Sequence, residues 1–159
     1  MTPPYGIDDI EDTIITALAP LKLPASLGVR TIKTYQDDLE FTDKEKIKKL
    51  LTLLPAIFVI YGGSGYTPHG DRKTEAMVYS IFVCDKTVKD EAEARRGGKT
   101  NPGTYAMLRA VRALLYGQQL SLEITPLELQ RESPVFIGGG ISVYAADYST
   151  AQALIYPSA

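Results

Sequence analysis

At 159 residues, with 45% apolar and 23% charged side chains, the chain is long enough to bury one sizeable core and close to the common size of a single domain. Its formal net charge of -2 argues against a strong sequence-independent grip on nucleic acid, which needs clustered Lys and Arg to displace the counterions around phosphates. Cys84 is the only cysteine, so no intrachain disulfide forms, which suits the cytoplasm, and the apolar run Tyr79-Ser-Ile-Phe-Val-Cys84 marks it as an inert, core-packed thiol.

The opening Met1-Thr-Pro-Pro-Tyr-Gly6 has neither the basic patch nor the apolar core of a signal peptide, and no stretch approaches the ~18 apolar residues that span a bilayer. A soluble protein, made and assembled inside a cell, is the expectation. Ile7, Ile10, Ile14, Ala17, Leu18 and Leu21 then recur at helical spacing, with Asp8 and Glu11 as a capping-box-like pair, and Pro20 ends this first helix near Ala19. Beyond the turn from Pro24 to Gly28, Val29 to Tyr35 alternates with β-branched residues prominent, the pattern of a half-exposed strand. Thr42 and Glu45 form a second capping box ahead of Ile47, Leu50, Leu51 and Leu54, a short helix stopped by Pro55.

Ala56-Ile-Phe-Val-Ile-Tyr61 is apolar on both faces and bounded by Pro55 and Gly62, as a central strand is. A second long strand is expected from Thr74 to Cys84. The polar residues from Gly62 to Lys73 between them suit the tip of an extended hairpin better than a crossover helix. Asp85 to Thr100 is highly charged, lacks an apolar period and reads as a surface arm. Asn101-Pro102 supplies an N-cap and a first-turn proline for a third helix through Tyr105, Leu108, Val111, Leu114 and Leu115, closed by Gly117. Two further strands follow, around Leu127 to Glu132 and from Ile141 to Thr150, while 151–159 suggests a loosely docked end. The order α-β-α-β-β-α-β-β lacks regular βα alternation and predicts an α+β domain: a mostly antiparallel sheet of about five strands with about three helices packed on it.

Chemistry has few places to live. Gly62-Gly-Ser-Gly65 after a strand invites a phosphate-cradle reading, yet it lacks the full P-loop spacing, the Lys-Ser/Thr pair and an immediate helix. Ser64 with His69 could pair a nucleophile and a base, although no strained turn exposes the serine. His69 is the only histidine, so with one cysteine no His/Cys zinc cluster can be built. Asp37, Asp38 and Glu40 stand beside a helix start, where carboxylates usually serve as solvated caps, and Glu91 and Glu93 lie in a segment too charged to bury them. No catalytic, cofactor or metal site is therefore expected. Arg95, Arg96 and Lys99, with Arg72 and Lys73 on the other projection, make two small basic spots able to meet an acidic neighbour or phosphate, and are the candidate interface residues.

Five landmarks in order, Ile10-Glu-Asp-Thr-Ile14, Leu53-Leu-Pro-Ala-Ile-Phe-Val59, Ala92-Glu-Ala-Arg-Arg-Gly-Gly98, Tyr105-Ala-Met-Leu-Arg-Ala-Val-Arg-Ala-Leu-Leu115 with Gly117, and Ile141-Ser-Val-Tyr-Ala-Ala-Asp-Tyr148, resemble the Mu-like phage tail-terminator family from about Ile7 to Thr150. The resemblance implies one tail-terminator-like domain over 1–159, with a protruding loop about 62–73 and a charged arm about 85–101. It implies a non-enzymatic virion protein of a contractile-tailed phage or prophage, assembled in the host bacterial cytoplasm and placed at the neck-proximal end of the tail. There it would form a ring, hexameric by expectation, that caps the tail tube and sheath and offers a surface for head joining. Its partners would be other copies of itself, tube and sheath proteins and neck or head-completion proteins, with DNA passing through without sequence-specific binding. No active-site residue is carried over. A head-completion or neck protein is the nearer alternative, and a small hydrolase using the 62–73 loop the more distant one.

Overall fold

The computed structural model describes residues 1–155 apart from Val88. The first helix, α1 (Ile7–Leu18), buries Ile10, Ile14 and Leu18, one side chain per turn. Its cap differs from the expected Asp8/Glu11 pair. The Gly6 amide donates to Asp9 Oδ2 at 2.9 Å, and Glu11 instead accepts the Thr34 hydroxyl, because the helix begins two residues earlier than that pair requires. A 3-10 turn, Ala19–Lys22, takes up the break that Pro20 imposes.

Strand β1 (Thr31–Thr34) runs parallel to β2 (Ala56–His69), and α2 (Lys44–Leu53) connects them. Asp43, not Thr42, caps α2 by accepting from the Glu45 amide at 2.9 Å, while Thr42 is held by Glu40. β2 turns directly into β3 (Arg72–Lys86), and after two helices β4 (Glu128–Gly138) and β5 (Ile141–Ile155) complete the sheet in the order β1-β2-β3-β5-β4. Every pairing but β1 with β2 is antiparallel, so the α+β, mostly antiparallel architecture read from the sequence is the one observed.

Alternation along the strands divides the core between two faces. On one face Ile57, Val59, Met77, Tyr79, Ile81, Val83 and Tyr148 lie beneath α1 and the later helix α4 (Thr104–Leu115), which adds Met107, Val111 and Leu115. On the other, Ala56, Phe58, Cys84 and Val143 meet Leu50 and Leu54 at the end of α2. Each large aliphatic or aromatic side chain so enclosed contributes roughly 1.5–3 kcal/mol, and this burial, more than helix propensity, holds short helices such as α2 in place.

Two segments depart from expectation. The polar stretch 62–73 is itself paired strand: β2 and β3 stay in register out to His69 opposite Arg72, with an irregularity at Gly62 and a turn at Gly70-Asp71. Main-chain pairing there needs no apolar side chain, so composition concealed it. The expected arm contains the end of β3 and a short helix, α3 (Glu91–Arg96), capped by Asp90 on the Glu93 amide at 2.8 Å and anchored by the fully buried Ala94. Six residues are too few to display a period. The residue before α4 is Gly103, not Asn101, whose side chain is used elsewhere. β5 runs past Thr150 to Ile155, so 151–155 is strand and not a loose end; 156–159 lie outside the described residues.

Candidate assembly surface

The five basic residues singled out by sequence occupy two separate places. Arg72 and Lys73 open β3 beside the hairpin turn, exposed, with Arg72 Nε 3.9 Å from Asp71 in a pair too solvated to hold it firmly. Arg95 and Arg96 fill the last turn of α3, and Lys99 follows in the loop. Arg72 opens β3, whereas Tyr144 beside the α3 corner pairs with Val83 eleven residues along that strand, roughly 35 Å away, so the residues form two spots and not one surface.

The second spot rests on a rigid corner. Gly97 and Gly103 lie face to face with φ of +89° and +82°, and a Cβ on either would collide with backbone of the other's segment. Beneath them the fully buried Asp85 carboxylate accepts from the Gly103 amide at 2.7 Å, from Asn101 Nδ2 at 3.0 Å and from the Lys86 amide at 2.8 Å. Burial raises the Asp85 carboxyl above its ordinary pKa against the downward pull of these donors. Asn101 also donates to the Glu93 carbonyl at 3.0 Å, tying α3 to the start of α4.

Tyr105, on the first turn of α4, packs edge-on against Tyr144 of β5 with ring centroids 5.7 Å apart. The hydrogen bond with Tyr144, then the nearby Arg95 and Arg96, holds the Tyr105 hydroxyl below the ordinary phenol range. Arg109 lies exposed one turn further along α4. Among the described side chains, none of Arg95, Arg96, Lys99 or Arg109 enters an ion pair, whereas Arg112 is held by Glu132 at 2.6 Å.

Sequence reading missed the root of the hairpin. Glu75 is buried and accepts from Ser64 at 3.1 Å, Tyr66 at 2.9 Å and Gln152 Nε2 at 2.8 Å. Gln152 in turn clasps the backbone of Tyr5, accepting from its amide at 2.8 Å and donating to its carbonyl at 3.0 Å. The signal was available: Glu75 falls in phase with Met77, Tyr79 and Ile81, on the covered face of β3.

The catalytic pairing weighed from sequence is not assembled. Ser64 and His69 are five positions apart on one strand, roughly 17 Å, and project from opposite faces, so they cannot form a dyad. Ser64 is engaged by Tyr61 and Glu75. Asp38 pairs with Lys33 at 3.1 Å, Asp37 with Lys46 at 2.9 Å, and Glu40 holds Thr42, which disperses the acids that might have met a cation. Among the described residues no three His, Cys, Asp or Glu side chains gather as ligands, and no helix is long and apolar enough to cross a membrane. Burial lifts the Cys84 thiol well above its ordinary pKa, as expected of an inert one. A cleft of about 720 Å³ beside Asp85 is lined by Arg30, Lys86, Asp90 and Glu93 among others. Two of its cations are already spent on carbonyls near the end of α2, Arg30 on Thr52 at 3.0 Å and Lys86 on Leu51 at 2.6 Å.

Among solved structures, a chain described as "Virion of native gene transfer agent (GTA) particle" superposes with a TM-score of 0.58 at 13% identity, covering 92% of this chain and 97% of its own. That likeness is one of fold. No curated protein matches. The family model described as Bacteriophage Mu, Gp37 matches residues 6–153, nearly the whole length, and the chain belongs to that phage family.

Proposed function

We propose that this chain is a structural virion protein, without catalytic activity, that terminates the tail of a contractile-tailed phage or prophage. Copies assemble as a ring, six in number, on the finished tube and sheath, stop their growth and present the surface on which the head joins. The observation that carries this reading is the match of a phage family model over residues 6–153. The whole-length likeness to a chain of a gene transfer agent virion supports it. The exposed spots at Arg72 and Lys73 and at Arg95, Arg96 and Lys99 supply charge for contacts with other copies, tube, sheath and neck proteins. Capping then proceeds by complementary shape and charge, with no bond made or broken.

Light scattering on the purified chain across concentration, with and without purified tail tubes, tests the proposal. A hexamer, free or formed only on tubes, is expected. A monomer that ignores tubes would overturn the terminator role and favour a head-completion or neck component.

A further inference from the structure

The ring reading leaves open which surfaces meet, and charge placement answers it. α1 packs over β1 and β2 and against α4, whereas α3 and α4 pack over β3 and β5, so α1 and the α3–α4 corner cover different strands on the same side of the sheet. α1 carries Asp8, Asp9, Glu11 and Asp12 and no Lys or Arg. None of the four is in an ion pair among the described side chains, and Asp8 and Asp12 are exposed. The α3–α4 corner carries Arg95, Arg96, Lys99 and Arg109, equally without ion-pair partners among the described side chains, around the exposed rim of Tyr105. An aromatic ring beside arginines is the composition that anchors protein interfaces.

Resting on the ring reading, we propose that successive copies join head to tail, the α3–α4 corner of one copy seated on the acidic outer face of α1 of the next. A two-fold axis through either patch would bring like charges together, whereas a heterologous contact pairs opposite ones and can close into a ring. Strand addition is the competing route, and the two outer strands oppose it. β1 offers four residues, and β4 is interrupted by Pro134 and by register breaks around Gln130 and Val135.

Two variants at exposed positions test the interface: Arg96→Glu/Arg109→Glu, which reverses two of the corner's four cations and cancels its net positive charge, and Asp8→Lys/Asp12→Lys, which reverses two of the four acids of α1 and cancels its net negative charge. Each alone is expected to remain monomeric under conditions where the wild type assembles, with unchanged circular dichroism. An equimolar mixture should regain the ring, because the two variants can alternate around an even-numbered circle. Either variant assembling like wild type, or a mixture of folded variants that stays monomeric, overturns the interface. A wild type that is monomeric with and without tubes overturns the ring reading itself, so the two failures are distinguishable.

Discussion

Replacing Asp85 with alanine strips the acceptor from three donors at once, two of them at the corner where α3 meets α4. The Gly103 amide is enclosed, and Asn101 Nδ2 keeps only the Glu93 carbonyl. An enclosed donor left without a partner costs about 1–3 kcal/mol, and relief from burying a carboxylate offsets part of the sum. A net loss of about 3 kcal/mol follows, measurable by urea unfolding and as a fall of roughly 6–12 °C in Tm for a chain of this size. The pH dependence has a definite sign. Burial raises the Asp85 carboxyl in the folded state, so folding favours its protonated form; that contribution is complete below the ordinary carboxylate range and is lost as pH rises through the raised folded value. The gap between wild type and Asp85→Ala should therefore narrow from pH 4 to pH 7. A loss below about 1 kcal/mol, or a gap that widens with pH, would refute the assignment of Asp85 as the buried keystone of this corner.

Gly103→Ala should cost about 2–4 kcal/mol, since the side chain needs an unfavourable φ and strikes the segment around Gly97; urea midpoints check it, and wild-type stability would sink the close-approach argument. Glu75→Gln keeps one accepting oxygen where two are used, so a loss of about 1–3 kcal/mol and faster amide exchange near Ser64 and Tyr66 are expected; unchanged exchange would deny the network its role. Tyr79→Phe removes the hydroxyl that donates to the Ile7 carbonyl at 3.0 Å and should lower stability by about 1 kcal/mol in the same unfolding assay. Cys84 should react with a thiol reagent only as fast as the chain opens; prompt labelling of the native protein would contradict its burial.

The elements that sequence made legible are those with enough length to display a period. Ile10, Ile14 and Leu18 announce α1, and Met77, Tyr79, Ile81 and Val83 announce β3, because a single face meets the core over many residues. α3 could not be seen this way, for Ala94 is its one enclosed apolar anchor among the described side chains. The caps went astray because Asp8, Asp9, Thr42, Asp43 and Asn101 are all competent capping residues, and tertiary bonds decide which is used: Asn101 goes to Asp85 and leaves the cap position to Gly103. Of the candidate interface, the basic residues were visible as a charge cluster, but Tyr105 beside Tyr144 depends on a helix and a strand separated by more than thirty residues, and the partners of Glu75 come together only when β2, β3 and β5 pair.

The place of β5 between β3 and β4 has a consequence for how the polypeptide is made. β3 leaves the ribosome long before β5, and β4 just ahead of it, yet neither has its main neighbour until residues 141–155 emerge. Until then Met77, Tyr79 and Ile81 have no strand beside them on that edge, and the nascent β2–β3 hairpin carries an open apolar edge that holdase chaperones favour. Inserting the last strand between two waiting ones zips the sheet in a single late step, joining residues some seventy positions apart, and places the slow event of folding after synthesis of the domain.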